Sequence, residues 1–486
     1  MLANRPAILI LKIIVMARDY VNLSVPRWKE FQNFQQLGLI PTHGDFSPAG
    51  VHYPPITNYP PIPQEEAYKG FYEVTSGEFD VYVHIPFCHK RCLFCHYPSH
   101  YHCGDSEKDI YLDHLEMEMQ NWLRFRGVDK IQARTILIGG GTPTDLSPKQ
   151  LERFLSFFTK YVDISKCPQF NYDVDPSTLV GDNGLERLKI IKDFKGDRLT
   201  IGIQSLNDTV LKKMNRSHNA ATAKESIDNC LKMGFDVNIE FIYGHPGETL
   251  QNWIEVIEEA CTLGTEEIQL YRLKIEPYGD QEGTIKRFSA YHEDELISVE
   301  DTIRMKEISD LILEDHGYTE NLRRVFTKKK SNISLYAYNQ CCRLKDEVGF
   351  GLSAFSSFHD RFMINTPSFE EYYRRTEAGE IAANRCLIRN ADQQIRWSII
   401  LPLKNYFIDK KLFKEMNGIE LNSVFQKQFA LLKKYDLINE TDKRIELTKK
   451  GAFYSDEIVH LFYEPQHQSF LPEDFNQGCL NPYNEL

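Results

Sequence analysis

The chain has 486 residues, of which 42% are hydrophobic and 26% are charged. This length and balance are typical of one large catalytic domain with one or two smaller domains, and they exclude disordered and collagen-like classes. The formal net charge of −12 argues against a nucleic-acid-binding surface, which normally needs a basic patch, and favours a small-molecule or peptide substrate.

The apolar stretch at 7–17 is too short to span a bilayer and is interrupted by Lys12. It also lacks the small-residue cleavage pattern of a secretory signal. Eleven cysteines in a chain without such a signal argue against a disulfide framework. We therefore expect a cytoplasmic protein without a membrane span, in which some thiols bind a metal.

Residues 1–79 are predicted to form an N-terminal arm. Prolines at 54–55 and in the run 60–63 enforce extended backbone. Tyr53, Tyr59 and Tyr68 provide apolar area that an unstructured tail would leave exposed. We expect this arm to lie over a neighbouring surface.

From residue 80 short β-branched runs alternate with helical stretches. The predicted strands are 81–85, 135–138, 170–175, 199–204, 237–243 and 268–275. The predicted helices are 108–126, 148–161, 185–194, 208–214 with 221–233, and 249–263. Six βα units in succession, without a dinucleotide-binding fingerprint after the first strand, predict an α/β fold with a partial (β/α)6 TIM-like barrel over 80–280.

The rest of the chain is predicted to complete the barrel and then to form a smaller domain. Residues 281–330 have a mostly helical pattern, and 281–391 is expected to extend the barrel and complete its active site. Helices followed by a short strand and a turn at 448–451 predict a mostly helical, winged-helix-like domain over 392–486.

A cysteine triplet directly follows the first predicted strand. Cys88, Cys92 and Cys95 provide three thiolates, which leave one iron of a [4Fe-4S] cubane free for an exogenous ligand. A structural zinc site and a four-thiolate cluster are the alternatives, and both need a fourth ligand that Cys103 or His96 would supply.

A glycine run follows the second predicted strand, one βα unit after the cysteines. Gly139, Gly140 and Gly141 precede Thr142 and Pro143, and glycines allow backbone to approach a ligand without interference from Cβ atoms. Because active sites of such barrels lie at the carboxyl ends of the strands, we expect the glycines and cysteines to share one site.

These motifs together resemble the HemN-like family of radical S-adenosylmethionine (SAM) proteins, named after oxygen-independent coproporphyrinogen III oxidase. The resemblance covers 80 to about 465, and its motifs stand at 82–95, 139–143, 173–176, 202–205, 215–216, 238–244, 349–354 and 447–463. It implies that Cys88, Cys92 and Cys95 bind a [4Fe-4S] cluster and that reductive cleavage of SAM yields a 5′-deoxyadenosyl radical.

The family pattern also implies a set of SAM contacts. These residues are Tyr82, Phe94, Gly140, Gly141, Thr142, Asp173, Gln204, Arg216, Glu240 and Ile242. Glu240 stands where the family usually has Asp, and Asp173 where it usually has Glu. Gln204 and Asp173 would alternatively satisfy loop amides, and Arg216 would be a solvated charge at a helix end.

The family contains coproporphyrinogen oxidases, haem chaperones, haem-degrading enzymes and class C methyltransferases, so the resemblance does not fix the product. The oxidases carry Cys-x-Cys after the third ligand, whereas His96 and Tyr97 follow Cys95 here. The chaperones carry a His-Asn-x-x-Tyr-Trp motif, and the segment 331–336 lacks its His and Trp. We therefore expect class C-like methyl or methylene transfer to an sp² carbon.

That expectation includes a second SAM molecule and a one-electron donor such as flavodoxin or ferredoxin. Cys341 and Cys342 are adjacent and are candidate hydrogen-atom donors to a product radical, or else two ordinary buried thiols. The alternative functions are an oxidative decarboxylase or other tetrapyrrole-modifying enzyme, a haem-binding carrier without catalysis, and a zinc-stabilised interaction module.

Overall fold

The computed structural model describes residues 18–41, 52–56, 59–70, 77–95, 97–275 and 284–468. The apolar stretch at 7–17, together with His96 and Cys479, lies outside the described residues. Within these ranges, no helix combines the length and the apolar composition needed to cross a membrane.

In the described part of the chain before the barrel there are two helices, α1 (Tyr20–Gln36) and α2 (Gln64–Ala67). Phe31 and Phe34 of α1 belong to the core of the C-terminal region, and Phe34 packs edge-on against Tyr454 with ring centroids 5.1 Å apart. Arg27 pairs with Glu307 at 2.8 Å. The described part of the predicted arm is therefore packed against later segments of the chain.

Six parallel strands form the centre of the molecule. They are β1 (Glu78–Ile85), β2 (Ile131–Gly140), β3 (Phe170–Val174), β4 (Arg198–Gln204), β5 (Asp236–Tyr243) and β6 (Glu267–Arg272). They are joined by α3 (Asp105–Arg126), α4 (Pro148–Tyr161), α5 (Gly181–Asp193), α6 (Asp208–Lys213), α7 (Ala220–Lys232) and α8 (Leu250–Ala260). The strands lie in the order β1 to β6, each parallel to the next. The predicted α/β barrel is confirmed.

Local sequence explains both the strands and the helix ends. In β1, Val81, Val83 and Ile85 are fully buried in the main core, so the alternate residues Tyr82 and His84 face the space enclosed by the strands, here called the lumen. Helix α4 begins at Ser147, whose hydroxyl accepts from Gln150 N and which precedes Pro148.

Further strands extend the sheet at both edges, and all are antiparallel to their neighbours except the one that pairs with β1, which is parallel to it. Helices α9 (Thr284–Tyr291) and α10 (Val299–Asp315) lead to the hairpin β7 (Thr319–Leu322) and β8 (Val325–Thr327), and β8 pairs with β6. At the other edge, β9 (Glu347–Phe350) pairs with β1. Strands β10 (Phe355–Phe358), β11 (Arg361–Asn365) and β12 (Ala383–Ile388) follow it, with α12 (Phe369–Glu377) between the last two. The mostly helical pattern expected over 281–330 is therefore only partly correct, because its last part forms a hairpin.

Helix α11 (Leu335–Cys341) closes the end of the barrel at which the parallel strands begin. Asn339 and Gln340 donate to the carboxylate of Asp80 near the start of β1, at 3.0 and 2.8 Å. Asp80 is fully buried and also accepts from Thr135 at 2.6 Å. Together with the ion pair to Arg134 at 3.2 Å, these hydrogen bonds satisfy the buried carboxylate of Asp80.

The C-terminal region combines helices with a small sheet. Its helices are α13 (Ala391–Lys404), α14 (Lys410–Asn417), α15 (Gln426–Lys434), α16 (Lys449–Phe453), α17 (Ser455–Ile458) and α18 (Pro465–Gln468). Its strands β13 (Phe407–Asp409), β14 (Ile438–Glu440) and β15 (Arg444–Leu447) form a three-stranded antiparallel sheet with β15 in the middle. This mostly helical region, with its small sheet, has the elements of a winged helix.

Candidate active site

The cysteine loop is anchored at the carboxyl end of β1. Cys88 lies in a two-residue strand, Phe87–Cys88, that pairs with His100–Tyr101. Gly141 N donates to Ile85 O at 2.9 Å, and Thr142 N donates to Phe87 O at 2.7 Å. The glycine run after β2 therefore lies directly against the start of the cysteine loop, as the sequence predicts.

The far side of the cysteine loop is held by the segment after α6. Leu93 N donates to Met214 O at 3.1 Å, and the Asn215 side chain donates to Arg91 O at 2.7 Å. This one segment thus fixes the backbone on both sides of Cys92.

The glycines are required by close packing around Cys88. A Cβ atom on Gly141 would lie 2.7 Å from Phe87 O and 2.9 Å from Cys88 Sγ. Gly140 has φ +113°, and a Cβ atom there would lie 2.8 Å from the His84 ring. Thr142 Oγ1 donates to Cys88 Sγ at 3.6 Å. Only glycine permits this approach of backbone to thiol and imidazole.

Arg216 is not a solvated helix-end charge, because its side chain is only 7% exposed. Its Nη1 donates to Cys92 Sγ at 2.9 Å, and its Nη2 donates to Asp175 Oδ2 at 2.8 Å and to Gly202 O at 2.6 Å. Asp175 is in turn fixed by Ser177. Arg216 therefore connects the cysteine loop with the carboxyl ends of β3 and β4.

Phe94 and Ile242 share a small apolar cluster with Val210, Met214 and Leu273. The Arg216 guanidinium lies 5.9 Å from the centre of the Phe94 ring, within the range of a cation–π contact. Two residues predicted to contact SAM thus form one apolar wall beside the cysteine loop.

Polar groups line the lumen next to this wall. Burial raises the pKa of Glu240 to about 8, and the facing carboxyl of Asp173 adds to the shift. Burial likewise raises the pKa of Asp173 to about 7, although the positive charge of Arg198 acts to lower it. Tyr271 Oη donates to Glu240 Oε1 at 3.2 Å. The two carboxyls therefore hold at least one proton near neutral pH.

Gln204 ends β4 in a strained conformation. Its φ is +69°, which is uncommon for a residue other than glycine, and the register of β4 against β5 shifts between Gly202 and Gln204. Its Oε1 is buried and has no hydrogen-bond partner among the described residues. An oriented acceptor of this kind is suited to a ligand donor rather than to loop amides.

Hydrogen bonds of Tyr82 and His84 stabilise the β1 side of the site. Tyr82 Oη and His84 Nδ1 lie 2.9 Å apart, and His84 Nε2 lies 3.1 Å from Pro98 O. Burial lowers the pKa of His84 to about 4, so the imidazole is neutral. His84 is thus a hydrogen-bonded neighbour of the glycine run.

Sequence reasoning did not identify Glu118 of α3. It accepts from Gly351 N, Asn365 Nδ2 and Tyr372 Oη, each at 2.7 Å. Tyr111, on the same helix, donates to His84 O at 2.6 Å. No local pattern links positions this far apart in sequence.

Cys341 and Cys342 lie at the other end of the barrel from Cys88. Their helix binds Asp80, and five residues of extended β1 between Asp80 and Ile85 span about 17 Å. Cys342 is buried and its thiol points to Asn405 O at 3.5 Å. This position gives no support to a role for the pair in hydrogen-atom donation.

The radical SAM superfamily model matches residues 82–260. The heme chaperone HemW of Bacillus subtilis is 26% identical over 388 residues, which cover 78% of this chain and 98% of that protein. The oxygen-independent coproporphyrinogen III oxidase of Salmonella typhimurium is 23% identical over 460 residues, 91% of this chain and 98% of that protein. Residues 82–260 therefore form a radical SAM domain, and the chain is similar to HemN-like proteins over most of its length. The solved coproporphyrinogen III oxidase HemN of Escherichia coli has the same fold, with a TM-score of 0.71 and 22% identity over 85% of this chain and 96% of that chain.

Radical SAM proteins use a [4Fe-4S] cluster and SAM, and the residues of this HemN-like chain fit both. Cys88, Cys92 and Cys95 would hold the cluster. Among the described residues, no three His, Cys, Asp or Glu side chains converge on one metal ion, and a cubane does not need this because each thiolate binds a different iron. The glycine run and the unpaired acceptor of Gln204 fit SAM, since they offer close backbone approach and a free acceptor.

Proposed function

We propose that this protein is a radical SAM oxidoreductase that oxidises a tetrapyrrole-type small molecule in the barrel lumen. The printed names of the relatives support a tetrapyrrole, because they are a coproporphyrinogen oxidase and a heme chaperone. None of these names supports methyl transfer. The oxidation proposed here therefore replaces the methyl transfer expected from His96 and Tyr97.

One observation carries this proposal. The cysteine loop, the glycine run and the carboxyls of Asp173 and Glu240 all face the same lumen, and a Cβ atom on Gly139 would lie 2.7 Å from Asp173 Oδ2. Tyr97, which is 63% exposed, is close enough to Glu240 and Asp173 to interact with them electrostatically. A substrate entering the lumen would thus meet the cysteine loop and groups that hold a proton.

The [4Fe-4S] cluster, when bound, supplies one electron to SAM, and the resulting 5′-deoxyadenosyl radical can take a hydrogen atom from an unactivated C–H bond. The protein's own part is to orient SAM and the substrate and to enclose them in the lumen. Arg216 fixes the loop around Cys92, Phe94 and Ile242 form the apolar wall, and Gln204 offers an acceptor. Flavodoxin or ferredoxin would serve as the electron donor, and an external acceptor would take the electron left on the substrate.

A haem carrier without catalysis is the second candidate, favoured by the identity to HemW. Segment 331–336, where the chaperone motif would lie, contains no His or Met. Tyr336 in this segment is buried and interacts with Glu347. Haem ligation from this segment is therefore disfavoured.

The test is anaerobic reconstitution with iron, sulfide, SAM and a reductant, followed by mass spectrometry. We expect 5′-deoxyadenosine from the wild type and none from Cys88→Ala, with Cys103→Ala as the matched control that keeps activity. With coproporphyrinogen III present, oxidised product should accumulate in step with 5′-deoxyadenosine.

The other outcomes contradict the proposal in distinguishable ways. S-adenosylhomocysteine with a methylated product would establish methyl transfer. A tight haem complex without SAM cleavage would establish the carrier.

A further inference from the structure

A buried arginine lies where the described part of the arm meets the edge of the sheet and the C-terminal region. Arg389 stands between β12 and α13 and is 6% exposed. Its guanidinium lies 4.2 Å from the centre of the Phe362 ring of β11 and 3.9 Å from that of the Trp397 ring of α13. Tyr59 of the arm stacks on Phe362, with ring centroids 5.8 Å apart. These four residues are here called the arm junction.

The positive charge of Arg389 is not neutralised by a carboxylate of its own. Its Nε donates to Gln394 Oε1 at 2.7 Å, and its Nη2 donates to Phe358 O and to the carbonyl that follows it, at 2.8 Å each. The carboxylate that acts on it most strongly is Asp360, but both oxygens of Asp360 accept from Arg361 at 2.7 Å. Among the described residues, two buried guanidinium groups therefore depend on this one carboxylate.

Four polar atoms at and beside the arm junction are buried and have no hydrogen-bond partner in the described part of the chain. They are Arg389 Nη1, Trp397 Nε1, Tyr59 Oη and His52 Nδ1. Tyr59 and Trp397 are 1% and 2% exposed, and the His52 ring lies 4.8 Å from the Phe362 ring. A guanidinium and an indole nitrogen donate hydrogen bonds and do not accept them. Because unpaired buried donors cost stability, this set suits a ligand that accepts hydrogen bonds.

The neighbouring titratable groups do not supply the missing negative charge. Burial raises the pKa of Tyr59 well above its usual value and that of Cys386 to about 12. Burial, together with the charge of Arg389, lowers the pKa of His52 to about 3, so its ring is neutral. Burial also lowers the pKa of Arg389 to about 9, which still leaves the guanidinium charged at neutral pH.

A buried charge is stable only when it is paired or well hydrogen-bonded. We propose that the arm junction binds one small monovalent anion, of about the size of chloride, which accepts hydrogen bonds from Arg389 Nη1, Trp397 Nε1 and Tyr59 Oη. The low exposure of these side chains limits the ligand to a small ion. Because Tyr59 belongs to the arm and Trp397 to the C-terminal region, the anion fastens one to the other. This site does not depend on the reaction proposed above.

The test is thermal unfolding of the reconstituted holoenzyme in mixtures of sodium chloride and sodium gluconate at one total ionic strength. Gluconate is the control, because it is too bulky for so enclosed a site. We expect the midpoint temperature Tm to rise by a few degrees as chloride replaces gluconate and then to level off, since a ligand that binds only the folded state stabilises it by mass action. Sodium bromide should act as sodium chloride does.

Variants that remove one donor locate the anion. Trp397→Phe and Tyr59→Phe keep an aromatic ring and remove one polar group each, so each should weaken the apparent affinity for chloride about tenfold. The readout is how Tm depends on chloride, so a lower Tm at all chloride concentrations does not obscure it. Tyr172→Phe of β3 is the matched control, because the Tyr172 hydroxyl is also buried without a described partner. This control should respond to chloride as the wild type does.

Two results would overturn the anion site. One is the same Tm in chloride and in gluconate. The other is an equal response to chloride in the wild type, Trp397→Phe and Tyr59→Phe, which would place the effect elsewhere on the protein.

Discussion

Arg216 donates a hydrogen bond of 2.9 Å from Nη1 to the sulfur of Cys92. Its other terminal nitrogen is held by Asp175 and by the carbonyl of Gly202, so the guanidinium is fixed from both sides. A hydrogen bond and a positive charge next to a cluster thiolate favour the reduced cluster, because reduction adds negative charge.

Replacing Arg216 with Gln should therefore lower the midpoint potential of the reconstituted cluster by tens of millivolts without removing its iron. Potentiometric titration followed by EPR would measure this shift. Arg187→Gln is the matched control, because Arg187 is also bound to backbone carbonyls but contacts no cysteine. An unchanged potential in Arg216→Gln would show that the bond to Cys92 is lost once iron is bound.

Gly141→Ala should prevent stable assembly of the cluster in a protein that still folds. The new Cβ atom would meet Phe87 O at 2.7 Å and Cys88 Sγ at 2.9 Å, and relieving such contacts costs about 1–3 kcal/mol. Iron and sulfide analysis after reconstitution would detect the loss, with circular dichroism as the measure of folding. Gly77→Ala is the control, since a Cβ atom there meets nothing within 4 Å.

Glu240→Gln should change how stability depends on pH. The ordinary pKa of Glu is 4.5, and that of folded Glu240 is about 8, so between these values the folded protein holds a proton that the unfolded chain has released. Stability should therefore fall as pH rises from about 4.5 to about 8. The Gln variant should be less sensitive to pH over this window.

Urea unfolding of the cluster-free protein at several pH values would test this. Glu152→Gln, which replaces an exposed residue of α4, should keep the pH dependence of the wild type. The same loss of stability with pH in Glu240→Gln as in the wild type would mean that Glu240 is ionised across the window.

The double variant Cys341→Ala/Cys342→Ala should keep its cluster and form product at the wild-type rate. Helix α11, which carries Cys341, binds Asp80 at the floor of the barrel, whereas Cys88 follows the opposite end of β1. Replacing buried Cys342 should cost some thermal stability, because a cavity remains. A product yield that falls while 5′-deoxyadenosine formation continues would restore these thiols to the mechanism.

The barrel could be predicted because its strands are short apolar runs and its loops carry the cysteine and glycine motifs. The predicted start and end of α4 match the observed Pro148–Tyr161, since a Ser-Pro cap marks its beginning. The hairpin of β7 and β8 was missed because strands of four and three residues, with two arginines in the turn, carry no clear period of two.

The contacts of Asp456 with Lys274, Arg323 and Lys404, and those of Glu118, could not be predicted for a different reason. Lys274, Arg323, Lys404 and Asp456 are separated by 49 to 81 residues from one to the next, and only the packing of the C-terminal region on the barrel brings them together. A single sequence shows charges but not which of them are buried side by side.

Helix α11 forms the floor of the barrel and so affects how molecules enter and leave the lumen. Asn339 and Gln340 of this helix are bound to buried Asp80, so among the described residues α11 covers the beginning of β1. Molecules that enter or leave the lumen along β1 would therefore pass the opposite end, where the cysteine loop lies. The rate of turnover would then depend on product release past that end as well as on bond breaking.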